Sequence, residues 1–337
     1  MKILDAFLFF QELDLLEIRL NYLDKYVDKF LIIEACQTFS GNPKKFIFEE
    51  NAQRFAKFLY KIEYHKINDF HYDYASVQNY LSNSRTLTHK KISEILNQHN
   101  HYSKDHLNWV LDSYHRECIH FALQNVAADD DIVILSDLDE IPSKHVFSQM
   151  QINLLKKNIR VCKQKEFRYF LNYYKDSDWL GSIAGKYKAI KNQSLNMLRI
   201  DSKKDRTIIH KDVIHNGGYH FTSCGNISLI KEKIKSWGHQ EFNNDLVYKN
   251  IEKNIATGQD IFQRETGTNL IRIDVTDIKY FDESMSLLLL NYKHLLSSNE
   301  IKFAENKFIS KFLRYFLINL HKILYKISLV AKKINRK

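Results

Sequence analysis

Proline is almost missing from this chain, with 2 in 337 residues, and glycine and cysteine are scarce at 9 and 4. So few turn-formers exclude a collagen-like or low-complexity protein and point to a chain rich in regular structure. Cys36, Cys118, Cys162 and Cys224 lie far apart with no Cys-x-x-Cys pair. Scattered thiols of this kind read as reduced and cytoplasmic, not as a disulfide framework. No apolar run approaches the ~18 residues of a spanning helix. The apolar start, Met1 to Phe10, reaches Glu12 and Asp14 too soon for a signal peptide. The expectation is a cytoplasmic protein.

Acidic residues are lacking in one place. Residues 301–337 hold ten Lys/Arg against Glu305 alone, a net of +9 out of the chain's +10, so the first 300 residues (40 basic, 39 acidic) are near neutral. A neutral body with one basic tail is not the footprint of a nucleic-acid-binding surface, and no nucleic-acid partner is expected. The 44% apolar and 27% charged balance is that of a soluble globular protein.

Ile3–Phe10 is a short apolar run of the kind buried on both faces of a sheet. Asp14 then precedes Leu15, Leu16, Ile18, Leu20 and Leu23, a helical spacing, and Lys29–Glu34 reads as a second buried strand. Strand, helix, strand is a βαβ unit, which predicts an α/β fold with a parallel sheet. Leu59–Lys66 is a third strand candidate, and about 69–104 reads as a polar insertion without a period. Trp109–Gln124 reads as a helix, as does Leu246–Ala256, closed by Gly258.

The strongest strand, Ile132-Val133-Ile134-Leu135, runs into Ser136-Asp137-Leu138-Asp139-Glu140-Ile141-Pro142. Ligands of open α/β sheets bind beyond the carboxyl ends of the strands, where these carboxylates fall. Asp137 and Asp139, at i and i+2, share one side if the segment is extended. Clustered oxygen ligands suit Mn²⁺ or Mg²⁺, with open positions left for phosphate oxygens. That chemistry serves a nucleotide-sugar transferase, where a metal stabilises a departing diphosphate. Haloacid-dehalogenase-type phosphatases also use Asp-x-Asp after a strand. They place it near the domain start and follow it with a small hydroxyl or Val, where this chain has Ile141.

Four ordered blocks resemble glycosyltransferase family 17, the β-1,4-mannosyl-glycoprotein 4-β-N-acetylglucosaminyltransferase family. They are Asp5–Phe7 through Glu12–Arg19 to Gly41; Trp109, Asp112, Tyr114 and Arg116; Ser136–Pro142; and Gly217–Phe221, Ser236–Glu241, Asp245-Leu246 and Gly258–Arg264. Tyr219 stands where a Trp is usual, and the chain resembles a bacterial-type member. The resemblance implies an inverting, GT-A-like transferase on a Rossmann-type sheet, using a nucleotide sugar such as UDP-N-acetylglucosamine. Its acceptor would be a glycan or glycolipid.

Within that resemblance Glu241 is the first candidate for the general base that takes the acceptor proton, and Asp260 the second. His220 and His239 could complete the metal shell of Asp137 and Asp139 or bond a phosphate. Arg116 faces the diphosphate or pairs with a carboxylate. Glu12 and Glu34, at the ends of the first two strands, fall where base and ribose rest. Trp179 and Tyr219, read as loop residues, offer rings for an acceptor sugar or for the core. A non-catalytic membrane-binding protein on a decayed transferase fold is a further alternative, against which the retention of both Asp137 and Asp139 argues.

The predicted division is a catalytic body over 1–300 and an amphipathic helical tail over 301–337. In the tail, Phe308, Phe312, Phe316, Leu320, Ile323, Ile327, Val330 and Ile334 recur at helical steps beside the basic residues. Such a segment either lies on an anionic membrane surface, which would place the protein peripherally on the inner face of the cell membrane, or packs on the body through the same stripe.

Overall fold

In the computed structural model, residues 1–301 are described apart from 85, 154–158, 204–211 and 265–269. The tail expected over 301–337 therefore lies outside the described residues, except for Ile301.

The chain opens as the apolar pattern predicts, with β1 (Ile3–Leu8), α1 (Leu13–Leu23) and β2 (Lys29–Ala35). The first helix starts one residue ahead of Asp14, behind Glu12 at the N-cap. A short α2 (Ile47–Glu50) and β3 (Ile62–Ile67) follow. The segment read as a polar insertion is instead two helices, α3 (Tyr74–Asn83) and α4 (Leu87–Gln98). Asp73 and Ser76 close a reciprocal capping box on α3, and Thr86 caps α4. Each buries only a few apolar residues, Val77 and Leu81 on one, Ile92 and Leu96 on the other. So thin a stripe leaves no firm period in the sequence.

The helix expected over Trp109–Gln124 is two, α5 (Leu107–Glu117) and α6 (Ile119–Val126), broken at Cys118. Next come β4 (Ile132–Asp137), β5 (Glu140–Pro142) and α7 (Lys144–Asn153). The long pair β6 (Ile159–Arg168) and β7 (Tyr173–Lys186) leads to α8 (Tyr187–Ile190) and α9 (Leu195–Ser202). The remaining elements are β8 (Val213–Ile214), β9 (Gly218–Thr222), α10 (Ile227–Ser236), α11 (Asp245–Ala256), β10 (Leu270–Arg272) and α12 (Glu283–Leu289). Gly258 follows α11 at φ 64°, the left-handed geometry expected of a terminating glycine.

The strands form one mixed sheet in the order β3-β2-β1-β4-β7-β6-β9-β5, with β8 against β6 and β10 against β7. The β3-β2-β1-β4 half is parallel, and β7 runs antiparallel to β4 and β6. This is the α/β fold class read from the sequence. Strand order reverses at β1, which places a topological switch point between β1 and β4.

Alternation along β1 sends Leu4 and Ala6 to one face, with Leu31, Ile33, Val133 and Leu135, under α3 to α6. Ile3 and Phe7 face the other way, onto Leu16, Ile18 and Leu20 of α1 and Met285 and Leu289 of α12. Asp5 shares that second face at 0% exposure, and its charge needs a partner there. A third cluster, including Ile230, Ile234, Ile251 and Phe262, joins α10 and α11 to the loop after α11.

Candidate functional site

β4 ends at Asp137, and the chain turns at Leu138 and Asp139 before β5 begins at Glu140. The two aspartates thus flank a turn and do not sit on one side of an extended segment. Leu138 enters the core at 5% exposure, while Asp137 and Asp139 both line a cavity of about 690 Å³. That volume is in the range of small-molecule sites, ~300–1,000 Å³. The cavity runs from Leu8, Ile33 and Gln37 at the ends of β1 and β2, past the turn, to Arg168, Thr222 and Asp260.

The turn is held from beneath by Arg19. Its Nε and Nη2 pair with Asp5 at 2.8 and 2.6 Å, and Nη2 also donates to Ser136 Oγ at 2.6 Å. Nη1 lies 3.0 Å from the carbonyl oxygens of Asp137, Leu138 and Glu140. At β5 the backbone of β9 comes so close that a Cβ on Gly218, at φ 137°, would lie 2.1 Å from Ile141 O. Only glycine fits there.

Asp137 is clamped by two arginines. Arg116 donates to Oδ1, and Arg199 donates to Oδ2 through Nε at 3.1 Å and Nη2 at 2.9 Å. Burial pushes the Asp137 carboxyl up, but Arg116, Arg199 and Lys203 more than offset it and hold it well below the usual range. Glu117, next to Arg116 in α5, accepts from Ser194 Oγ and the amides of Leu195 and Asn196. It thereby fixes the N-terminus of α9, the helix that carries Arg199.

Asp139 faces a different set. Lys233 Nζ bridges it to Glu12, at 3.1 Å from Asp139 Oδ2 and 3.0 Å from Glu12 Oε1. Burial opposes the charge on Lys233, and Asp139 with Glu12 raises its pKa regardless. His220 Nε2 stands 3.9 Å from Asp139 Oδ1, and burial lowers the His220 pKa, so that the ring is neutral near pH 7.

A carboxylate oxygen and a neutral imidazole nitrogen at that separation fit two positions of a hard divalent ion's shell. The expected third ligand, His239, bonds Glu241 Oε1 through Nδ1 at 2.8 Å. Among the described residues no group of three or more His, Cys, Asp or Glu is arranged to hold a metal. A metal here would take Asp139 and His220 and leave its other positions to the ligand.

Of the residues singled out in the sequence, Glu12, Arg116, Asp137, Asp139, Trp179, His220, His239 and Asp260 line the one cavity. Glu34 does not: fully buried, it accepts from Ile47 N at 2.6 Å, Phe48 N at 3.0 Å and Tyr64 OH at 2.9 Å, and pairs with Lys44. It anchors the start of α2. Tyr219 precedes His220 in β9 and so points to the opposite face, where its OH bonds Asp282 at 3.1 Å in the core. Glu241 lies behind His239, off the lining. Trp179 is in β7, its ring stacked on His220 at 4.4 Å with Lys203 at 4.3 Å from the centroid and its N–H given to Glu140 at 2.7 Å.

Lys233, Arg199 and Lys203 escaped the sequence reading. Lys233 carried a signal, since with Ile230, Ile234 and Trp237 it falls on the apolar face of α10, where a lysine needs a reason.

The sequence profile of glycosyltransferase family 17 matches residues 1–86 and 76–268, which together span most of the described body. The chain belongs to glycosyltransferase family 17. Its sheet is of the α/β class that the sequence pattern predicts. Among solved structures it is similar to HddC from Yersinia pseudotuberculosis, at 8% identity over 66% of this chain and 91% of that one, TM-score 0.29. It is also similar to mouse xyloside xylosyltransferase 1 in its apo form, at 11% identity over 64% and 78%, TM-score 0.28. No curated protein matches the chain. Family 17 membership makes sugar transfer the reaction class and sets aside the phosphatase alternative.

Proposed function

We propose that this glycosyltransferase is an inverting, metal-dependent enzyme that moves N-acetylglucosamine from UDP-N-acetylglucosamine to a saccharide hydroxyl of a glycan or lipid-linked acceptor. The observation that carries the reading is Asp139 with His220 at the mouth of β4, in a cavity that begins at the switch point. The nucleotide fits the β1–β2 end, near Glu12. Arg116 and Arg199, held against Asp137, supply fixed positive charge for the diphosphate. A bound Mn²⁺ or Mg²⁺ would stabilise charge on the leaving group.

In the displacement the acceptor oxygen bonds the anomeric carbon as that carbon's bond to the diphosphate breaks, and the electron pair leaves with the diphosphate. The acceptor proton passes to a carboxylate. Asp260 suits that role better than Glu241, because it lines the cavity. Burial pushes its pKa up, but Arg264 and Arg168 offset this and keep it ionised.

A nucleotide-sugar panel with Mn²⁺, scored by donor hydrolysis and by melting temperature, tests the reading. UDP-N-acetylglucosamine should be turned over and should stabilise the protein. No turnover and no shift with any donor defeats it. The basic stripe of 301–337 would hold the enzyme on the cytoplasmic membrane face, near a lipid-linked acceptor. Full-length protein should then pellet with anionic liposomes at low salt and lose this when 302–337 are deleted.

A further inference from the structure

A donor bound at the switch point leaves the far end of the cavity without an occupant. Five charged side chains of alternating sign line that end. Lys175 Nζ lies 3.5 Å from Glu166 Oε2, and Arg168 Nε 2.6 Å from Glu166 Oε1. Arg168 Nη1 lies 3.9 Å from Asp260 Oδ1, and Arg264 Nε 3.0 Å from Asp260 Oδ2. Ser177 Oγ adds a donor to Glu166 Oε2 at 2.9 Å. The two carboxylates are 4% and 1% exposed, whereas Arg264 is 41% exposed.

Burying charges in this way gains little stability, since desolvation opposes the attraction. The backbone holding the ladder is strained as well. Four non-glycine residues have positive φ among the described residues; Tyr169 (70°) and Gln263 (52°) lie in its segments, and Ser223 (54°) follows Thr222, the strand partner of Arg168. Tyr169 ties the segments together. Its OH accepts from Ile261 N and donates to Gln259 O, its N–H donates to Thr222 O, and its carbonyl accepts from Gly225 N. Strain and buried charge gathered on one cavity wall, beside the third apolar cluster, point to a binding role.

Register sets the ladder beside the reacting centre. Glu166 of β6 is the direct partner of His220 in β9, and Arg168 that of Thr222. Since His220 neighbours Asp139, a molecule on the ladder meets the sugar end of the donor and not its nucleotide end.

We propose that the Lys175–Glu166–Arg168–Asp260–Arg264 ladder is the acceptor subsite and that it binds the vicinal hydroxyls of a saccharide. Each sugar hydroxyl both donates and accepts, so a rigid row of alternating ammonium, carboxylate and guanidinium groups matches a row of hydroxyls. An aromatic wall stands next to it. Trp237 stacks on Phe262 at 4.7 Å, and its buried Nε1 has no hydrogen-bond partner among the described residues. The inference rests on the transferase reading.

The test uses full-length protein, UDP titrated by calorimetry, and lactose, N,N′-diacetylchitobiose and mannobiose followed by saturation-transfer NMR with UDP present. Wild-type protein should bind UDP and at least one of these saccharides. Arg264→Met, at the exposed end of the ladder, and Glu166→Gln should each weaken saccharide binding tenfold or more. Both should keep UDP affinity within twofold and a cooperative melt, and a variant that fails to melt cooperatively is replaced by the other. UDP binding without any saccharide signal overturns the subsite while the transferase reading stands. Weaker UDP binding with unchanged saccharide binding assigns the ladder to the donor and also overturns it. Wild-type protein that binds neither defeats both.

Discussion

Arg19 and Asp5 form a fully buried two-pronged pair, and the same guanidinium reaches the carbonyls of Asp137, Leu138 and Glu140. A charge in the middle of β1 thus becomes the footing of a turn more than a hundred residues downstream. Arg19→Met should destabilise the protein by about 3–5 kcal/mol, because Asp5 is left buried and unpaired. Arg19→Lys keeps the charge and loses the fork, so it should fold yet bind UDP with Mn²⁺ more weakly. Urea titration and calorimetry separate the two effects, and wild-type affinity in the lysine variant would show that the turn needs no grip.

Asp139→Ala should lower transfer on the order of 10³-fold with little change in melting temperature, the loss expected when a diphosphate-stabilising ion has no anchor. His220→Ala should follow it in weakening Mn²⁺ binding. Full activity in excess EDTA would remove the metal from the reaction.

Asp260→Asn should retain UDP binding and lose turnover by roughly 10²–10⁴-fold, since an amide cannot take the acceptor proton. Glu241→Gln should change turnover far less, because Glu241 lies off the cavity lining and bonds His239. The reverse ranking in single-turnover rates would hand the base role to Glu241.

Burial drives the His115 imidazole down to about 4, with Asp69 and Asp112 opposing it and His71 and Arg116 adding to it. In the unfolded chain it titrates near ~6.5. Between these values the unfolded state holds more protons, so stability rises with pH there and is lost as pH falls from about 6.5 toward 4. His115→Gln should flatten that part of the stability curve by up to about 1.4 kcal/mol per pH unit. Parallel wild-type and variant curves would mean that His115 titrates freely.

Asp137 and Asp139 were legible because one short buried strand delivers them, and local pattern alone says where such a strand ends. Their partners were not. Lys233 meets Asp139 across 94 residues and Arg199 meets Asp137 across 62, and no periodicity encodes which distant helix faces a given loop. Tyr219 and Glu34 went astray for another reason. Whether a strand residue faces a cavity or the core depends on register, and a shift of one residue reverses the answer. The family blocks contribute residues to the lining of one cavity but could not orient individual side chains within it.

The neighbours Arg116 and Glu117 make a lever of α5 and α9. Glu117 is the fulcrum at the start of α9, and Arg199 is the working end, closing on the carboxylate that Arg116 holds from the opposite side. A ligand phosphate that draws Arg199 off Asp137 must either swing that side chain or tilt α9 about its pinned end. The first leaves Arg116 in place. The second transmits ligand arrival to Leu195 and Leu198, which pack into the core beneath the sheet. The grip on Asp137 and the packing of α9 on that core are thus one linked arrangement.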